Sequence, residues 1–218
     1  KVLSEHYPKI SNMQFMDVST IPIAGAECWI SRSGYTGEDG FEISIPNKAA
    51  ENVANTLLKH ELVELVGLGA RDSLRLEAGL CLYGQDIDIK TSPIAAGLKW
   101  AMQKSRLIGG QQEGNFPGAN KILSEIENGT EYKLVGLIPI GKAPIRSNTQ
   151  LFCKSLVSQK VGWVTSGIFS PVKKCPIAMG YLKSEFSITG TMIHAEVRGK
   201  MLEVEVTSVP FVKKSFKK

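Results

Sequence analysis

Ser33-Gly34-Tyr35-Thr36-Gly37-Glu38-Asp39-Gly40-Phe41-Glu42-Ile43-Ser44-Ile45 opens as a glycine-punctuated turn and closes as an alternating strand. Phe41, Ile43 and Ile45 share one face by the period of two, and Glu42 and Ser44 share the other. The segment Ala26–Ser33 before the turn also reads as a strand, so the two predict a hairpin with a longer loop. A glycine turn on the lip of a sheet brings polar side chains and bare backbone close to a ligand. The same pattern also suits a solvated hairpin.

Outward from this hairpin the elements alternate between helix and strand. Phe15–Ile23 leans to strand, and Val2, Leu3 and Tyr7 read as the end of a helix that Pro8 stops. Asn47 has the character of an N-cap for a helix over Ala49–Lys59. Leu68–Ala78 is the strongest helix, closed by Gly79. Arg71 and Arg75 fall on one of its faces, with Asp72 placed to pair with Arg75. Ser92-Pro93-Ile94 resembles a helix start, and the apolar stretch Ala95–Met102 surrounds Trp100. A further helix runs through Asn120–Ile126 and ends at Asn128-Gly129. From Tyr132 the texture changes. Strand-like runs recur between turn signals at Lys133–Ile138, Gln150–Phe152, Lys160–Ser166, Ile177–Tyr181, Met192–Val197 and Met201–Val206. They predict a small all-β barrel or jelly roll, with the boundary near residues 125–132.

At 43% hydrophobic and 22% charged residues, the 218-residue chain has an ordinary globular composition. No apolar run reaches the ~18–20 residues of a membrane span. The net charge of +5 owes part of its size to the run Lys213-Lys214-Ser215-Phe216-Lys217-Lys218. No nucleic-acid motif accompanies it, so a mildly basic surface is the expectation and no nucleic-acid partner is predicted. Cys28, Cys81, Cys153 and Cys175 form no CxxC pair and no metal-like spacing with the histidines His6, His60 and His194. Cys28 and Cys81 read as buried thiols, a reducing compartment fits, and no metal is expected. The chain begins at Lys1 rather than Met, and Lys1–His6 reads like mid-domain sequence, which suggests a fragment or a processed chain.

No nucleophile elbow, P-loop or dinucleotide fingerprint is present. Polar capacity gathers instead in the first half. Glu42 could accept two parallel hydrogen bonds from an amidine-like NH/NH₂ edge such as a 2-aminopyrimidinone. Arg71 could fork onto a carboxylate. Tyr35 and Trp100 could stack on a planar heterocycle. For each a plainer reading stands beside the functional one: a solvent-facing strand residue, a surface helix charge, or an aromatic in turn or core packing.

Two long stretches carry a resemblance. Ser31-Arg32-Ser33-Gly34-Tyr35-Thr36-Gly37-Glu38-Asp39-Gly40-Phe41-Glu42-Ile43 and Ala70-Arg71-Asp72-Ser73-Leu74-Arg75-Leu76-Glu77-Ala78-Gly79-Leu80-Cys81-Leu82-Tyr83-Gly84 resemble aminomethyltransferases, the T-proteins of the glycine cleavage system. The likeness continues through Asp86-Ile87-Asp88, Thr91-Ser92-Pro93, Phe116-Pro117-Gly118-Ala119, Val164-Thr165-Ser166-Gly167, Ala178-Met179-Gly180-Tyr181 and Pro210-Phe211-Val212.

The resemblance implies an α+β fold: parts of two antiparallel-sheet α+β domains of a folate-binding cloverleaf, plus a C-terminal β-barrel or jelly-roll domain. Residues 1–61 would finish the first domain, 62–124 the second, and 125–218 would be the third. It implies transfer of a methylene carbon from an aminomethyl group, carried on the lipoyl arm of H-protein, to tetrahydrofolate, with release of ammonia. Tetrahydrofolate would be a substrate and lipoylated H-protein a partner, in a bacterial cytoplasm or a mitochondrial matrix. By motif, Glu42 matches the acid that holds the pterin edge, Tyr35 an aromatic beside the folate, Arg71 a folate-contacting arginine and Trp100 a pocket aromatic. No residue matches the family's catalytic aspartate, so no catalytic residue is assigned. Phe216 stands where the family has a folate-side tyrosine. The alternatives are the folate domain of another tetrahydrofolate-dependent demethylase or dehydrogenase, and a non-catalytic folate-binding module. The intact Leu80-Cys81-Leu82-Tyr83-Gly84 favours the glycine cleavage branch.

Overall fold

A computed structural model of the chain describes residues 2–156 and 158–216. Lys1, the tail lysines Lys217 and Lys218, and the side chain of His6 lie outside the described residues. The chain forms two compact units, Lys1–Arg75 with Lys213–Lys218, and Leu76–Val212.

The first unit opens with two short helices, α1 (Val2–His6) and α2 (Pro8–Ser11). Pro8 ends the first as expected and also starts the second, since a missing N–H costs nothing in a first turn. A three-stranded antiparallel sheet follows in the order β1 (Val18–Ile23), β2 (Ala26–Ser31), β3 (Glu42–Ser44). Its register pairs Ile21 with Cys28, Ile30 with Ile43, and Ser31 with Glu42. Ile21, Ile23, Cys28 and Ile30 therefore project to one side. There they form a core with Ile10, Met13 and Val53, against which Phe41, Ile43 and Ile45 pack. Val53 comes from α3 (Ala50–Leu58). Asn47 is not that helix's cap: a 3₁₀ turn over Asn47–Ala49 leads into it without a side-chain capping bond. The next helix is α4 (Leu68–Glu77). Arg75 is buried at 1% exposure and its Nε donates to Asp72 Oδ1 at 2.7 Å, the expected local pair.

In the second unit the expected helix after Ser92 is a single turn. Ser92 Oγ accepts from the Ala95 N–H at 3.1 Å, as a cap would. Gly97, at φ 69°, then reverses the backbone, and two short 3₁₀ turns over Lys99–Ala101 and Lys104–Arg106 follow. α5 (Ala119–Asn128) ends at Gly129, at φ 83°.

The rest is a closed six-stranded barrel, which settles the barrel-or-jelly-roll question. Its strands are β4 (Tyr132–Pro139), β5 (Gln150–Cys153), β6 (Lys160–Ser170), β7 (Cys175–Lys183), β8 (Met192–Val197) and β9 (Lys200–Thr207), in the order β4-β7-β6-β5-β8-β9. Antiparallel pairing of β4 with β9 closes the ring, which leaves no open edge. Alternate residues such as Val135, Leu137, Leu151, Ile193, Ala195, Val204 and Val206 fill the interior.

One buried carboxylate ties a loop to this barrel. β6 carries a bulge against β7 between Val164 and Ser166, and a bulge re-aims the side chains beside it. Thr165 Oγ1 (2.5 Å) and Ser166 Oγ (2.8 Å) both donate to Asp86 Oδ1, while the Leu82 N–H donates to Oδ2 at 2.8 Å. Asp86 is 1% exposed. Asp86→Ala strands these donors in the interior, so its unfolding midpoint in denaturant corresponds to a loss of about 3 kcal/mol. Asp86→Asn, which keeps an acceptor, loses less. Equal midpoints for wild type and Asp86→Ala would refute the assignment.

Candidate functional site

The loop between β2 and β3 is held from beneath by an ion pair that local pattern does not reveal. Arg32, at 7% exposure, follows directly on β2. Its Nε donates to Asp39 Oδ1 at 2.9 Å and its NH2 to Asp39 Oδ2 at 2.6 Å. Its NH1 donates to the Met13 carbonyl at 2.8 Å, and its guanidinium lies 5.0 Å from the centroid of the Phe41 ring. The fork makes both ends of the loop one rigid clip. The hydrogen bond to Asp39 raises the arginine's pKa against the opposing effect of burial, so it stays charged. Asp39 is thus a turn residue, and Glu38 is another: its backbone N–H donates to Thr36 Oγ1 at 3.2 Å. The C-terminal segment joins the same loop. The Ser215 N–H donates to the Gly37 carbonyl at 2.9 Å, and Phe216 stacks on Phe15 with ring centroids 4.2 Å apart.

On this clip sits a cavity of about 490 Å³, lined among others by Ser33, Tyr35, Phe41, Glu42, Leu68 and Arg71. Three of the four site residues expected from sequence, Tyr35, Glu42 and Arg71, are therefore together. Glu42 projects from the sheet face opposite the core, beside its register partner Ser31. Ser31 Oγ and Ser33 Oγ lie 2.8 Å apart, and Ser33 Oγ donates to Glu42 Oε2 at 2.8 Å. This short relay orients the carboxylate while leaving it acceptor capacity for a ligand edge. Arg71, from α4, places its Cζ 4.4 Å from the centroid of the Tyr35 ring. A guanidinium stacked in this way still directs its in-plane N–H groups outward, where a carboxylate can meet them.

Trp100 belongs to the second unit and is 78% exposed on its 3₁₀ turn. It is not a core residue, and it does not line the cavity of Tyr35, Glu42 and Arg71. The hydrogen-bonded link of Ser31 and Ser33 to Glu42 is not legible in the sequence. Their one signal was position, since Ser31 is two residues from Trp29 on the outward face of β2 and Ser33 two beyond it. Cys28 is buried, Cys81 only half-buried, and none of the four cysteines is joined in a disulfide. Among the described residues no group of His, Cys, Asp and Glu is placed to hold a metal ion. No helix among them is long and apolar enough to cross a membrane.

Comparison with known proteins agrees with the barrel. The family model described as GCVT N-terminal domain matches residues 1–106, and that described as glycine cleavage T-protein C-terminal barrel domain matches residues 133–213. The chain belongs to the glycine cleavage T-protein family. Among relatives in this family, the mitochondrial aminomethyltransferase of Flaveria trinervia is 46% identical over 205 residues, which is 93% of this chain and 49% of that protein. The mitochondrial aminomethyltransferase of Dictyostelium discoideum is 43% identical over 216 residues, 96% of this chain and 52% of that protein. The crystal structure of glycine cleavage system aminomethyltransferase T from Bartonella henselae superposes with a TM-score of 0.90 at 41% identity. It covers 100% of this chain and 58% of the other. This T-protein family chain thus spans about half the length of the curated relatives it matches.

Proposed function

We propose that the chain is the tetrahydrofolate-binding part of an aminomethyltransferase. In that reaction the methylene carbon of an aminomethyl group, carried on the lipoyl arm of H-protein, passes to tetrahydrofolate and ammonia is released. The observation that carries the reading is the cavity lined at once by Tyr35, Glu42 and Arg71. Glu42 accepts the paired N–H groups of the pterin edge, with Ser33 setting its rotamer. Tyr35 gives the ring a face, and Arg71 takes a carboxylate of the folate. The protein contributes mainly by positioning, holding the folate amine where it can attack the methylene carbon as ammonia leaves, with the lipoyl sulfur released as a thiol once the carbon has passed to the folate. Residues 1–61 and 62–124 are parts of two folate-binding α+β domains, and 125–218 is the third domain. The compartment is a mitochondrial matrix, in keeping with the names of the plant and slime-mould relatives, or in a bacterium the cytoplasm.

The test is tetrahydrofolate affinity of the full chain carrying Glu42→Ala or Arg71→Ala, measured by calorimetry. Each loses a charge-assisted contact and weakens binding by about 2 kcal/mol or more. Unchanged affinity in both variants would sink the assignment. Ser33→Ala gives a smaller loss, because it removes only the group that orients Glu42.

A further inference from the structure

The loop that carries Tyr35 has a second hold besides the Arg32–Asp39 clip, and it comes from the far end of the chain. Residues 213–216 belong to the first unit. Ser215 and Glu38 form an isolated parallel bridge. The Ser215 N–H donates to the Gly37 carbonyl at 2.9 Å, and its hydroxyl donates to Glu38 Oε2. A hydroxyl bonded to a carboxylate is charge-assisted and stronger than a neutral pair. Next to it the Phe216 and Phe15 rings stack at an interplanar angle of 14°. Phe216, expected from sequence beside the folate, is not among the residues lining the cavity. Its ring holds the segment down.

These contacts fall on Gly37, at φ 79°, and on the residue after it. A glycine has the most backbone freedom to lose on ordering. The Glu38 N–H in turn donates to Thr36 Oγ1 at 3.2 Å. Fixing Gly37 and Glu38 therefore fixes Thr36 and Tyr35, which both line the cavity. Glu38 and Ser215 are exposed, so the segment can detach and return without unfolding of the core. A ligand that meets an ordered loop loses less entropy on binding than one that must order it.

We propose that segment 213–216 is a strap whose docking on the loop and ligand binding in the cavity strengthen one another. For the identity of its ligand the inference rests on the folate reading; the strap contacts stand without it.

Amide hydrogen exchange of the full chain, with calorimetric titration by tetrahydrofolate, tests it. In Ser215→Asp a carboxylate faces Glu38 and pushes the strap off. Amides from Tyr35 to Asp39 then exchange faster, and tetrahydrofolate binds about fivefold or more weakly. Glu38→Gln combined with Ser215→Asp restores both, because the glutamine amide donates to the new carboxylate. Phe216→Ala shifts both readouts in the same direction as Ser215→Asp. By reciprocity, tetrahydrofolate slows exchange of the Ser215 amide in the native chain. Unchanged loop exchange in Ser215→Asp would overturn the proposal, as would unchanged affinity or a double variant no better than Ser215→Asp alone. If the native chain binds no tetrahydrofolate, the folate reading falls, and the loop exchange rates alone decide whether the segment is a strap.

Discussion

Gly162→Ala and Gly167→Ala each destabilise the barrel by about 3 kcal/mol, the upper end of what overpacking costs. Neither glycine is needed for its backbone dihedrals, since neither has a positive φ. What they permit is close approach. A Cβ at position 162 would lie 1.9 Å from the Tyr181 carbonyl oxygen on the neighbouring strand β7, and one at 167 would lie 1.9 Å from the Ile145 carbonyl oxygen. Both obstacles are backbone, so no rotamer change relieves them and a strand must move. In a closed barrel that movement is passed to the next strand, because there is no free edge to absorb it. Gly69→Ala is the contrasting case. This glycine is exposed in α4, has nothing within 4 Å of a built Cβ, and gains helix propensity of up to about 0.5–1 kcal/mol. Denaturant midpoints of the three variants check the pattern. A Gly162→Ala protein as stable as wild type would show that β7 is not held where the pairing places it.

Asp39→Ala lowers the stability of the first unit by about 2–3 kcal/mol. The loss arises less from the missing attraction than from what remains, a guanidinium 8% exposed with its fork partner gone. Asp39→Asn keeps one acceptor and falls between the two. Because Arg32 is shielded from solvent while Asp39 is 37% exposed, the loss is less sensitive to added salt than that of a surface pair. The variant also loosens the loop that carries Tyr35, so backbone amides from Ser33 to Phe41 exchange faster than in wild type. Unfolding midpoints at low and high salt, together with hydrogen exchange of the loop, check both statements. An unaltered midpoint for Asp39→Ala would mean that the loop is held by other contacts.

The strands were legible because their physics is local. Phe41, Ile43 and Ile45 declare a buried face by alternation, and the six segments after Tyr132 each carry the same period or a fully apolar run. Leu68–Glu77 shows its helix by spacing and its end by Gly79. The errors were also local in origin. Asn47 had the chemistry of a cap, but the chain enters α3 through a 3₁₀ turn. The segment after Ser92 begins as a helix would, and Gly97 stops it after one turn. For the candidate site, Glu42 and Arg71 stood out as charges on otherwise readable elements. Arg32 did not, because a buried arginine and an exposed one look alike until their neighbours are known.

By itself, then, the sequence determined which segments alternate and which coil. It also determined that a glycine turn joins two strands, with Glu42 on the face away from the apolar residues. Only the tertiary structure decided that Arg71 comes to rest on Tyr35, that Asp86 is enclosed by Thr165 and Ser166, and that β9 returns to close on β4. Each of these joins residues tens of positions apart. No local propensity encodes such contacts, since they form only when burial of the shared apolar faces brings the segments together.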